Sequence, residues 1–191
     1  LAQGGNFLDT AHMYANWVKD GAGKSERTLA KWLKNGKRDQ IVLATKGADL
    51  GMTREGIRRQ LSESLERLEQ PSVDFYFLHR DDAKVPVGEI LTWLNELVAD
   101  GFFPAFGCSN WAPSRIAEAQ AYAEDQGLNG FAGNQLGYSL ARVGHDQQRG
   151  GQRFMDGETH SYHCDSQLTV MAYSAQAGGF FAGAYGPKGP P

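Results

Sequence analysis

Six short stretches of the chain are apolar almost throughout and close on a polar residue: NFLDT (6–10), IVLATK (41–46), VDFYFLH (73–79), AFGCSN (105–110), GFAGNQ (130–135) and LTVMAYS (168–174). Runs without polar alternation suit strands covered on both faces, as in a parallel sheet whose crossovers are helices. The stretches between them supply those helices. Over 53–68, Ile57, Leu61, Leu65 and Leu68 form one stripe, with Thr53 as N-cap. Ile90, Leu91, Leu94, Leu97 and Val98 do the same over 87–99, just after Pro86. Pro113 opens a helix that runs to about Asp125 and is terminated by Gly127. Lys24 to Lys34 makes a fourth, with Leu29, Trp32 and Leu33 inward. Residues 140–163 show no sustained period and several glycines, which predicts a long loop with at most one poor helix.

The polar ends fall at Asp9, Lys46, His79, Ser109, Gln135 and Ser174, recurring every 26 to 39 residues. That is the beat of a strand–helix repeat, which implies right-handed crossovers and a parallel sheet, either open or closed as a barrel. In both architectures ligands sit at the carboxyl ends of the strands. The polar strand tips therefore form the candidate site.

Composition narrows the setting. The chain has 191 residues, 41% hydrophobic, with a formal net charge of -3. This predicts one globular domain over 1–191 and argues against both a nucleic-acid-binding charge field and a disordered chain. No apolar run approaches the roughly 20 residues needed to cross a bilayer, and the N-terminus lacks the basic and apolar regions of a signal peptide. A cytoplasmic protein without membrane contact is expected. Cys108 and Cys164 are too few for a disulfide framework and read as free thiols. The Gly- and Pro-rich end predicts a disordered tail over 184–191.

The first three tips bring together a carboxylate (Asp9), an ammonium (Lys46) and an imidazole (His79), with the phenol of Tyr14 on the loop after the first strand. A phenol, with a reference pKa near about 10, is a poor acid at neutral pH unless a cation stabilises its phenolate. Lys46 is the candidate cation. Asp9 would then orient the lysine, while His79 would hydrogen-bond a substrate oxygen or relay the proton. Together these groups would protonate a carbonyl oxygen. Taken singly, Asp9 reads equally as a helix N-cap, Tyr14 as a packed aromatic and His79 as a strand-end cap. Only the constellation points to chemistry.

The segments NFLDTAHMY, LATKG, FLHRDD, FGCSNW and MAYS resemble, in order and spacing, the signature segments of the aldo-keto reductases. The resemblance implies a TIM (β/α)8 barrel that reduces aldehydes or ketones with NAD(P)H and without metal. NADPH is the family default and NADH the alternative. Position by position, it implies a catalytic tetrad of Asp9, Tyr14, Lys46 and His79, with Tyr14 as general acid. It also implies contacts to the nicotinamide carboxamide from Ser109, Asn110 and Gln135, a stacking ring in Tyr173, and Ser174 near the pyrophosphate. After the tyrosine the family carries Ser-Pro-Leu, where this chain has Ser174, Ala175 and Gln176. The matched segments correspond to the family's strands two to seven. With Leu1 at the start, this predicts about six βα units of an incomplete barrel and a chain that is part of a longer one. Such an excised piece would bind cofactor weakly.

Competing patterns are present. GAGKS (21–25) resembles the end of a phosphate-binding loop but has Val18 where a glycine is required. HSYHC (160–164) is a conceivable metal cluster in the least regular segment. Asp9, His12, His79 and Asp81 or Asp82 would suit a metal-dependent hydrolase, which leaves Lys46 and Tyr14 without a role. The resemblance extends to potassium-channel beta subunits, which implies a regulatory alternative. Arg80, Asp81 and Asp82 read as a solvated loop, though Asp82 or Trp17 would also suit a pocket wall. The expected partner is a small carbonyl compound; oligomeric state is left open.

Overall fold

A computed structural model of the chain describes residues 1–142 and 151–184. It contains the strands β1 (Phe7–Asp9), β2 (Val42–Gly47), β3 (Phe75–Leu78), β4 (Ala105–Ser109), β5 (Gly133–Gly137) and β6 (Thr169–Tyr173). Between them lie α1 (Lys24–Leu33), α2 (Arg54–Leu68), α3 (Val87–Ala99), α4 (Pro113–Gln126) and α5 (Gly157–Ser166). All neighbouring strands pair in parallel, in the order β1-β2-β3-β4-β5-β6. The result is a half-barrel, an incomplete (β/α)8 barrel of six strands. β1 and β6 each have a sheet neighbour on one side only among the described residues, and both are more exposed than the strands between them. Part of the expected loop, 143–150, and all but Ala184 of the expected tail lie outside the described residues.

The apolar stripes do what their spacing requires. Ile57, Leu61, Leu65 and Leu68 of α2 and Ile90, Leu91, Leu94 and Leu97 of α3 are buried against one face of the sheet, where Leu43, Tyr76, Leu78 and Phe106 meet them. Val98, Leu29 and Trp32 pack at the rim of this core, half-buried. The Thr53 hydroxyl accepts the backbone N–H of Gly56 and caps α2 (3.0 Å), and Gly127 ends α4 in the left-handed conformation at φ 64°.

α5 is the one poor helix that the loop expected over 140–163 allowed, and it runs on to Ser166. It has no apolar stripe. It is held by His163, whose Nε2 meets the Asn134 amide at 3.1 Å and whose Nδ1 meets the Leu168 carbonyl at 3.0 Å, and by Tyr162, which packs against the core; the Asp156 side chain caps its Thr159 N–H. His163 of the HSYHC pattern is thereby committed to packing.

Strand register decides what faces the barrel interior. Side chains alternate along each strand, so the row Lys46–Phe77–Gly107 and the row Ser109–Gln135–Met171 share the face opposite the α2 and α3 core. Gly107 is required there: a Cβ would lie 2.5 Å from the Gly133 carbonyl oxygen and 2.9 Å from the rings of Phe75 and Phe77. The same alternation brings Asp9 and Tyr173 to the interior face, at the carboxyl ends of the two edge strands.

Candidate active site

The centre of the site is a buried charge pair. Lys46, with no exposed side-chain surface, donates from Nζ to both carboxylate oxygens of Asp9 at 2.6 Å and to the Thr10 carbonyl at 2.9 Å. Asp9 keeps 28% of its side chain exposed and also accepts from Gln135 Nε2 at 3.3 Å. Burial pulls the Lys46 pKa below the ordinary lysine value, and Asp9 opposes that pull.

Tyr14 sits over this pair, its ring centroid 4.6 Å from Nζ of Lys46. His79 closes on the same ring edge-to-face at 5.9 Å, and Trp17 does so from the other side at 6.3 Å. The phenol pKa is not lowered, as expected from a neighbouring cation, but raised above the ordinary tyrosine range. Burial is the main cause, followed by the charge of Asp9 and then by Tyr173 and Asp49. The Lys46 ammonium, bonded to both carboxylate oxygens of Asp9, does not offset that burial. Burial thus favours the neutral phenol over the phenolate.

The loop that carries Tyr14 is anchored from behind. Thr10 bonds Ser25 through their hydroxyls at 2.8 Å, and His12 Nε2 meets Glu63 of α2 at 2.6 Å, which holds the Glu63 carboxyl below the usual range. Arg67 donates to the His12 carbonyl and to Glu26 and Glu63, while Thr45 donates to the buried Glu26 at 2.9 Å. Asp81 is turned to Arg115. Among the described residues, Asp9, His12, His79 and Asp81 or Asp82 do not gather into a cluster that could hold a metal ion.

Met13, Tyr14, Trp17, His79 and Arg80 line a cavity of about 470 Å³ together with Ser109, Asn110, Gln135, Gln152, Tyr173 and Ser174. That volume suits a small-molecule site. Asn110, in the left-handed conformation at φ 65°, donates to the carbonyl of His79 and to the Ser109 hydroxyl, and accepts from the Tyr173 hydroxyl at 2.7 Å and the Arg153 N–H at 3.0 Å. All nine sequence-predicted residues thus meet: seven line the cavity and the Asp9–Lys46 pair lies beneath it. Arg80 joins the lining where a solvated loop was expected. Sequence reasoning missed Asp49, whose carboxylate meets His79 Nδ1 at 3.0 Å, and Gln152. A carboxylate three residues after Lys46 was the available sign of the first; the irregularity around 152 left none for the second.

The sequence model of the Aldo/keto reductase family matches residues 1–191. The chain belongs to that family. Among relatives, an uncharacterized oxidoreductase, YrpG, of Bacillus subtilis is 32% identical over 96% of this chain and 57% of its own length. Norsolorinic acid reductase B of Aspergillus parasiticus is 35% identical over 68% of this chain and 36% of its own. A probable voltage-gated potassium channel subunit beta of Oryza sativa subsp. japonica is 32% identical over 72% and 43%. A crystal structure described as a candidate 2,5-diketo-D-gluconic acid reductase B superposes with a TM-score of 0.72 at 22% identity, over 93% of this chain and 55% of that one, and shares the fold. This aldo/keto reductase chain thus spans about half the length of the proteins it matches. No helix among its described residues is long and apolar enough to cross a membrane.

Proposed function

We propose that the protein reduces an aldehyde or ketone to an alcohol, with hydride from a nicotinamide cofactor and a proton from Tyr14. The observation that carries this reading is the Tyr14 ring standing over a buried Lys46–Asp9 pair, beside His79, in the lining of one cavity. A negative charge developing on the phenol oxygen would meet the Lys46 ammonium without water between them, where a fixed charge acts most strongly. Asp9 keeps that ammonium charged and in place, and His79 holds the carbonyl oxygen by a hydrogen bond or returns a proton to Tyr14.

The rest of the lining fits a nicotinamide. Ser109, Asn110 and Gln135 offer amide and hydroxyl groups suited to a carboxamide, and the Tyr173 ring offers a flat apolar face. Ser174 would lie towards the pyrophosphate. When bound, the cofactor supplies hydride to the carbonyl carbon; NADPH is the family's default and NADH the alternative. The same reading gives the protein a small carbonyl compound as partner and a cytoplasmic setting, in keeping with the free thiols of Cys108 and Cys164.

The relatives named as channel beta subunits favour a second reading, cofactor binding without appreciable turnover. Oxidation of reduced nicotinamide cofactor, followed across a panel of aldehydes, ketones and sugars with a chelator present, separates the two. Turnover supports the reductase. Stoichiometric cofactor binding with no turnover supports the second reading, and the absence of both contradicts each.

A further inference from the structure

We infer that Asp49 is a positioning residue that fixes the tautomer and pose of His79, so that Nε2 is the ring nitrogen presented to the carbonyl pocket. The inference rests on the proposed carbonyl reduction for its consequence, but not for its geometry. Oδ2 of Asp49 lies 3.0 Å from Nδ1 of His79, and the two side chains are only 6% and 11% exposed. His79 lines the cavity and Asp49 does not, so the bonded nitrogen is the one turned away from it. A carboxylate can only accept, so Nδ1 must carry the hydrogen.

Asp49 is itself held. Its backbone N–H donates to Oε1 of the buried Gln60 at 3.1 Å, and Nε2 of Gln60 donates to the Gly56 carbonyl within α2. The turn that delivers it passes through Ala48 at φ 71° and Gly51 at φ 112°. The backbone of His79 is fixed on both flanks: its N–H donates to the Gly47 carbonyl at 2.9 Å and its carbonyl accepts from Asn110 at 3.3 Å. The Tyr14 ring bounds the imidazole on a third side. Only the ring's rotation and tautomer are left to the Asp49 contact.

The consequence is chemical. With Nδ1–H tied to a carboxylate, neutral His79 offers Nε2 as an acceptor, able to take a hydrogen bond from the Tyr14 hydroxyl or from an alcohol. Protonated His79 offers Nε2–H as a donor to a carbonyl oxygen. The charge of His79 therefore sets the direction of its hydrogen bond in the pocket, and no ring flip is needed to reverse it.

Ring-nitrogen NMR of the 15N-histidine-labelled protein without cofactor reads the tautomer directly. The native protein is expected to show His79 with hydrogen on Nδ1 when neutral, and Asp49→Ala to shift it towards Nε2–H. In steady-state reduction, Asp49→Ala should lower kcat about tenfold or more while leaving the KM for cofactor within about twofold. Asp49→Asn, which keeps an acceptor oxygen, should restore both the native tautomer and most of kcat; if the alanine variant does not fold, the tautomer of the native protein decides. Nε2–H in the native protein, or ring signals left unchanged by Asp49→Ala, would overturn the inference. If no carbonyl compound turns over, the proposed function fails while the NMR result still decides the role of Asp49.

Discussion

Lys46 has no contact with solvent, and its ammonium depends on Asp9 and one backbone carbonyl for all the hydrogen bonds that replace water. Removing one partner of such a pair leaves an uncompensated buried charge. Asp9→Asn should therefore destabilise the fold by about 3 kcal/mol in urea titration, and should remove the opposition to the fall in the Lys46 pKa. At this scale the sequence was informative where a group ends an apolar run, because a lysine or histidine there is costly to bury without purpose. Asp9, Lys46 and His79 were legible for that reason. Asp49 was not, since its role depends on a turn that folds it back beneath His79, and neither were Glu26, Glu63 and Arg67, which act only through the loop they anchor. The direction of the Tyr14 pKa was not legible because sequence shows the neighbouring cation but not the burial of the phenol, which outweighs it.

Helix α2 shows what legibility requires of an element. Its apolar stripe and its Thr53 cap were both apparent, and both are realised. Loss of the cap by Thr53→Ala should cost about 1 kcal/mol, seen as a lower urea midpoint with an unchanged slope. Carbonyl reduction should be retained, since Thr53 does not line the cavity. Helix α5 shows the opposite case. Only Thr159 and His163 of its ten residues are buried, and a polar contact from His163 to Asn134 with the single ring of Tyr162, rather than an apolar stripe, docks it. Periodicity cannot reveal a helix held in that way. The preceding segment was also opaque, yet it matters to the site: Phe154 packs over Gly137, where a Cβ would lie 2.4 Å from its ring, and Arg153 fastens Asn110.

For the whole molecule, the parallel sheet and the gathering of polar tips at the carboxyl ends of its strands followed from the spacing of six apolar runs, while the sequential strand order of a barrel came only with the family resemblance. The half-barrel closure and the register of each strand are tertiary outcomes, settled by close approaches such as Gly107 on Gly133. Burial also gives the fold a distinct response to alkali. Tyr14 and the fully buried Tyr76 have folded pKa values raised above their ordinary 10.0. Stability from keeping them neutral is complete below that value and is lost as pH rises beyond it, because the unfolded chain ionises first. Lys46, lowered from 10.5, acts with the opposite sign just below that pH. The urea midpoint should thus drop between about pH 10.5 and about pH 12, and Tyr14→Phe should lessen the drop. The most direct test of the account is the same variant in the reaction itself. With Tyr14→Phe, carbonyl reduction should fall about a thousandfold while the affinity for reduced nicotinamide cofactor, measured by fluorescence titration, stays near native. Undiminished turnover by Tyr14→Phe would contradict the assignment of the proton donor and, with it, the site.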